Sequence, residues 1–185
     1  EKCVRLFTEA IYLQKTGMEE MALQICQQIL SIDPRFVDAY TMKGILLAGQ
    51  GKNAEAIDQF KRVIAIHPEN LAVHCNIGLA LMNQSLFSEA EAEFRKILSK
   101  SESYVPALNA LGVIMIHKGK HAEAIHFFRL SLGYEPSQPD TLNNLGNCHL
   151  EIGEVDEAES NYRKSIELSP HHVDALFNHA KLCAQ

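Results

Sequence analysis

Residues 140–170, DTLNNLGNCHLEIGEVDEAESNYRKSIELSP, decide the fold. Two stretches with apolar residues at helical spacing are separated by a turn containing Gly153, and Pro170 stops the second stretch. A proline ring cannot continue an interior helical turn, so it ends one helix or opens the next. Gly146 and Ala158 are small where the two helices would touch, and Tyr162 is the aromatic side chain beside them. Two helices with small residues at their contact can approach closely, and a ring fills the gap left at their edge.

Reading outward from this stretch, the same text recurs every 34 residues. Units begin at Cys3, Val37, Leu71, Val105, Pro139 and Val173. The eighth positions are Ala10, Gly44, Gly78, Gly112, Gly146 and Ala180; the twentieth are Ala22, Ala56, Ala90, Ala124 and Ala158. The twenty-fourth are Cys26, Phe60, Phe94, Phe128 and Tyr162, and the thirty-second are Pro34, Pro68, Glu102, Pro136 and Pro170. A fixed period of this length marks stacked helix pairs, each too small to bury its own apolar face. The pattern predicts helices over 3–15 and 18–31, 36–49 and 52–66, 70–83 and 86–99, 105–117 and 120–133, 139–151 and 154–168, and a last helix over 172–184. The third unit has Ser85 where the others have a turn glycine, and its end lacks proline, with Pro106 arriving late. Any local irregularity falls at 100–105; the simpler expectation is that Glu102 replaces proline without changing the path.

Composition narrows the function. Net charge is −6, and the 17 basic residues are scattered, whereas a nucleic-acid surface needs a dense basic face. Nucleic acid is therefore disfavoured as a partner. No apolar run reaches the roughly 20 residues of a membrane span, so membrane insertion is not expected. Five cysteines, Cys3, Cys26, Cys75, Cys148 and Cys183, form no CxxC pair. An odd, dispersed set suits reduced, buried thiols of an intracellular, cytoplasmic protein. The chain opens on Glu1 and closes inside a helical pattern, which suggests a piece of a longer protein.

The small, small, aromatic, proline spacing resembles the tetratricopeptide repeat (TPR) family over the whole chain. The resemblance implies an all-α, right-handed α-solenoid. It also implies a single TPR domain over 1–185, with repeats at about 3–36, 37–70, 71–104, 105–138 and 139–172 and a C-terminal helix over 173–185. In that family the second, fifth, sixth, ninth, twelfth and thirteenth residues of a unit generally face a concave groove. Carried over residue by residue, this places Met42, Ile45, Cys75, Asn76, Leu79, Met82, Asn109, Val113, Ile116, Asn143, Asn144, Asn147, Asn178 and Lys181 in a peptide-binding groove. Its first half is apolar and contains methionines, which suit hydrophobic side chains of a partner. Its second half is rich in asparagine, whose amide offers both donors and acceptors to an extended backbone.

Chemistry is harder to find. His117 and His121 are four apart but straddle the turn at Gly119, so they do not share a face as a metalloprotease motif requires. The best metal-ligand set is Cys148, His149, His179 and Cys183, a combination zinc accepts. These are also packing positions of the repeat, and packing is the preferred reading. No cofactor, no metal and no catalytic residue is expected, and the fragment itself is not expected to be an enzyme. The sequence points to an interaction scaffold that binds peptide segments of partner proteins. Two other readings are the substrate-recruiting region of a larger enzyme, such as an O-GlcNAc-transferase-like glycosyltransferase, and a self-associating scaffold. Asn76, Asn144 and Asn178 resemble part of that enzyme's asparagine ladder, interrupted by Met42 and Ala110. Asn147 and Asn178 match the two asparagines of the carboxylate clamp of chaperone-binding TPRs, but Asn143 stands where its first lysine belongs. Two substitutions follow as expectations: Asn144→Ala with Asn147→Ala weakens partner binding without unfolding, and Ala124→Glu, which places a charge in a helix–helix contact, unfolds neighbouring units.

Overall fold

The computed structural model describes residues 1–184. Among these residues there are eleven α-helices and no strand: α1 (Lys2–Lys15), α2 (Glu19–Ile32), α3 (Val37–Gly49), α4 (Asn53–Ile66), α5 (Leu71–Asn83), α6 (Phe87–Leu98), α7 (Val105–His117), α8 (His121–Tyr134), α9 (Pro139–Glu151), α10 (Val155–Leu168) and α11 (Val173–Cys183). They are the helices the 34-residue period predicts, with ends within one residue of expectation. The chain forms two compact units, Glu1–Glu93 and Phe94 onward, and the boundary falls inside α6.

In the first unit each helix packs on the next from α1 to α5, and α3 also touches α5. One core cluster holds Ala10, Leu13, Ala22, Cys26, Ile29 and Met42, and a second holds Ala56, Phe60, Val63, Val73 and Ile77. In the second unit α7 to α11 pack likewise in sequence, and first helices meet across repeats where α7 touches α9 and α9 touches α11. Its fully buried side chains include Leu108, Leu111, Ile114, Phe128 and Tyr162.

The sterics behind the period are visible at the eighth position. A Cβ added to Gly44 would collide with the Phe60 ring, and one added to Gly112 with the Phe128 ring. At Gly146 it would lie 2.6 Å from Tyr162 Cε1. Ala56, Ala124 and Ala158 are completely buried at the twentieth position. Interiors packed to crystal density cannot absorb the extra atoms without shifting a helix.

Every intra-repeat turn reverses through one residue in the left-handed region: Gly17, Gly51, Ser85, Gly119 and Gly153. The bonds are those of a Schellman helix end. In the second repeat Gly51 N–H donates to Ala48 O at 2.9 Å and Lys52 N–H to Leu47 O at 2.9 Å. Ser85, at φ 60°, makes the same pair, to Met82 O at 2.8 Å and from Leu86 N–H to Leu81 O at 3.0 Å. Its Cβ is the steric cost that glycine avoids.

The links between repeats are equally uniform. Asp33, His67, Ser101, Glu135 and Ser169 each donate N–H to the carbonyl four residues back, at 2.8–2.9 Å. Phe36, Asn70, Tyr104 and His172 then donate to the carbonyl three residues back, at 3.0–3.2 Å. The proline-free link 99–104 makes both bonds, from Ser101 N–H to Ile97 O and from Tyr104 N–H to Ser101 O. Glu102 therefore stands in for proline without breaking the pattern; α6 ends at Leu98, but α7 starts in register at Val105. Only the fourth link differs. Gln138 precedes Pro139, and its side-chain Nε2, rather than its backbone N–H, donates to Glu135 O at 2.6 Å.

Candidate functional site

First-helix residues that the core does not use are the candidates for recognition, and the two units present different ones. In the first unit, Ile45 on α3 and Leu79 on α5 are 43% and 44% exposed. They hold the same place in consecutive repeats and wall a cleft of about 280 Å³. Small residues, Ala48, Gly49 and Ala80, keep it open; Phe60 lies at its base, and Asn76 and Asn83 complete the lining. None of these side chains is ionisable. Asn83 Nδ2 reaches Asn53 Oδ1 only at 3.4 Å.

In the second unit the corresponding residues satisfy one another. Asn178 Nδ2, on α11, donates to Asn143 Oδ1 at 3.0 Å and to Asn147 Oδ1 at 3.1 Å, both on α9. The Tyr162 hydroxyl donates to Asn147 Oδ1 at 2.8 Å. A buried amide needs partners, and this knot supplies them. At the start of α11, His172 Nδ1 accepts from Ala175 N–H at 3.2 Å, capping the helix, while its Nε2 faces Asp140 Oδ1 at 2.9 Å. A second hub is Gln138, whose Oε1 accepts from Asn109 Nδ2 at 2.6 Å and Thr141 Oγ1 at 3.1 Å.

The structure thus divides the fourteen residues that the family pattern singles out. Met42 and Cys75, among the residues expected at the groove, are 7% and 5% exposed and belong to the interior. Met42 joins the core cluster that holds Ala10, Leu13 and Cys26, so its side chain is consumed by packing. Asn143, 6% exposed, is likewise inward, held by Asn178. Ile45, Leu79 and Asn76 come together at one cleft. Met82, Asn109, Val113, Ile116, Asn144, Asn147 and Asn178 are half-buried, and Lys181 is exposed. Ala48, Gly49 and Asn83 stand at groove-facing positions of the family pattern too; the space they leave, not the side chain they bring, makes them matter.

The thiols and histidines also find their places. Cys26 and Cys148 are buried, and burial pushes each thiol from 9.0 up to about 11, so neither serves as a thiolate nucleophile. Cys3 is half-buried and Cys183 exposed, which corrects the expectation of uniformly buried thiols. Among the described residues no group of three or more His, Cys, Asp or Glu converges as metal ligands. Of the proposed zinc set, His149 Nδ1 faces Glu154 Oε2 at 2.5 Å instead, and His179 Nε2 lies 3.8 Å from Cys183 Sγ. His74, which the sequence does not flag, is 3% exposed, with Nδ1 2.8 Å from Glu93 Oε2 and Nε2 2.9 Å from the Pro68 carbonyl. No helix among the described residues is long and apolar enough to cross a membrane.

These repeats define a TPR protein with an all-α solenoid fold. Tetratricopeptide-repeat family models match residues 25–58, 44–85, 75–140 and 139–172, well over half of the chain together. The chain belongs to the tetratricopeptide repeat family. No curated protein matches it by sequence. Among solved structures it is similar to TTC0263, a thermophilic TPR protein of Thermus thermophilus (18% identity, 99% of this chain and 100% of that one, TM-score 0.77). It is also similar to PilF of Pseudomonas aeruginosa (18%, 98% and 83%, TM-score 0.86). A third is YrrB, described as a TPR protein with an unusual peptide-binding site (23%, 95% and 90%, TM-score 0.71). At such identities the likeness establishes the fold. Repeats of this family serve typically as non-catalytic protein-binding scaffolds.

Proposed function

We propose that this chain is a non-catalytic scaffold that holds segments of partner proteins against its first helices. The observation that carries this reading is the pair Ile45 and Leu79. Two large aliphatic side chains, each more than two-fifths exposed and at the same place in consecutive repeats, face one cleft beside the buried Phe60 ring. Exposed apolar surface gathered in a concavity is costly unless something covers it. In the second unit Asn144 supports the same reading. It is half-buried, lies outside the Asn143–Asn147–Asn178 knot, and offers an uncommitted amide to a peptide backbone. A preformed surface lowers the ordering cost on the receptor's side, leaving that of the segment. YrrB, similar in fold, is described as having a peptide-binding site, which supports this reading.

The test is selection of a phage-displayed random-peptide library on the immobilised protein. Enriched sequences that bind as free synthetic peptides support the reading. Failure to enrich any peptide above a matched helical-repeat control discards it.

A further inference from the structure

The cleft between α3 and α5 has a chemistry specific enough to say what enters it. We infer that it is an anchor pocket for one uncharged aliphatic side chain of a bound segment, with the segment's backbone held by Asn76; this rests on the peptide-binding reading above. Three observations carry it. The first is size: at about 280 Å³ the cleft has room for an aliphatic side chain and lies just below the ~300–1,000 Å³ of small-molecule sites. The second is charge. No lining residue is ionisable, and Phe60 with the exposed flanks of Ile45 and Leu79 gives a partner's Lys, Arg, Asp or Glu nothing to pair with. Burying a charge there is strongly unfavourable, whereas an aliphatic side chain gains by covering both walls. The third is the neighbouring amide. Asn76 is half-buried at the lining and makes no hydrogen bond with another described residue, so its donors and acceptor are available to a peptide group. An aliphatic anchor beside a paired backbone amide is how an extended segment gains specificity from a groove.

The opening depends on Gly49. A Cβ built there meets nothing within 4 Å, and its φ is not in the left-handed region, so a larger residue fits the backbone and projects into open space. Gly49→Leu therefore plugs the cleft without adding charge. Leu79→Asp keeps the space but adds a carboxylate to its wall.

The experiment takes peptides enriched on the parent protein and measures their affinity for Leu79→Asp, Gly49→Leu and Asn76→Ala by fluorescence polarisation, with circular dichroism confirming each fold; affinity unchanged on Asn76→Ala overturns the backbone contact. The proposal expects enriched peptides to share an aliphatic residue at a fixed position. Their affinity should fall about tenfold or more on both cleft variants, and again when that residue becomes lysine. Peptides that bind the two cleft variants as well as the parent overturn the anchor pocket and leave the scaffold reading standing. Peptides enriched without a shared aliphatic residue also overturn it. Enrichment of no peptide overturns both readings. Should Leu79→Asp fail to fold, Gly49→Leu decides alone.

Discussion

The second and fifth repeats place the same backbone around different chemistry. Gly44 beneath Phe60 and Gly146 beneath Tyr162 are one steric solution used twice. Next to the ring, the ninth residue is Ile45 in one repeat and Asn147 in the other. With phenylalanine and isoleucine the neighbourhood stays apolar and open, and a cleft results. With tyrosine and asparagine one hydroxyl closes a hydrogen bond at 2.8 Å, Asn178 adds another at 3.1 Å, and the place becomes a polar knot. The small and aromatic positions determine that the helices pair; the ninth position and a single ring oxygen determine whether the pair leaves a cleft open or fills the place with its own hydrogen bonds.

The largest effect should come from attacking what the repeats share. Ala56→Glu and Ala124→Glu each place a carboxylate at a completely buried contact, at a cost of about 3 kcal/mol or more. Each should abolish or sharply lower the thermal transition of its own unit. An unchanged melting temperature for either would mean the repeat register is misassigned.

Next comes what the repeats do not share. Asn147→Ala strands the Tyr162 hydroxyl and one Asn178 contact, and should cost about 1–3 kcal/mol in urea unfolding. Ile45→Ala, at a half-exposed wall, should cost less than about 1 kcal/mol. The sequence-based expectation that Asn144→Ala and Asn147→Ala together leave stability untouched must therefore be narrowed to Asn144. A double-mutant cycle between Asn147→Ala and Tyr162→Phe should show coupling, the pair costing less than the sum. Strict additivity would dissolve the knot as an explanation.

Smaller is the turn effect. Ser85→Gly should raise stability by about 1 kcal/mol, because the left-handed conformation no longer carries a Cβ. The reverse change, Gly51→Ser, should lower it by a similar amount, and equal melting temperatures for either pair would remove the strain argument.

The smallest is a matter of pH. Cys26 and Cys148 ionise near 11 in the folded chain against 9.0 when exposed, so their folded values are raised. Stability from keeping them neutral is present in full below pH 9 and is lost as pH rises through 11. Urea midpoints should drop less between pH 9 and 11 in a Cys26→Ala, Cys148→Ala protein than in the parent. At pH 8 iodoacetamide should label Cys183 first and leave both buried thiols unmodified in the folded protein.

The helices, their ends and the pairing of Gly146 with Tyr162 were legible in the sequence because each is enforced within one repeat. A Cβ either fits under a ring or it does not, and the period reports the outcome four times over. What occupies a groove-facing position was less legible. Met42 and Asn76 share the sixth place of consecutive repeats, yet one is core and the other lines a cleft. That difference depends on the neighbouring first helix, where small residues such as Gly49 leave room. The knot of Asn143, Asn147 and Asn178 reads as donors and acceptors in search of a ligand until the side chains are seen to answer one another. Gln138, acting in place of a backbone N–H ahead of Pro139, has no counterpart at the same place in other repeats and so no period to reveal it.

The links between repeats have a consequence for how such a chain changes length. Asp-Pro-Arg-Phe, His-Pro-Glu-Asn, Ser-Glu-Ser-Tyr and Ser-Pro-His-His all close on the same two backbone bonds. The backbone at these seams does not specify which repeat must follow. Duplication or loss of a whole 34-residue block restores the seam it interrupts. A gain or loss between the eighth and twenty-fourth positions of a repeat slides a glycine out from under its aromatic ring. The gene can therefore be edited like text in which only whole lines are copied or cut.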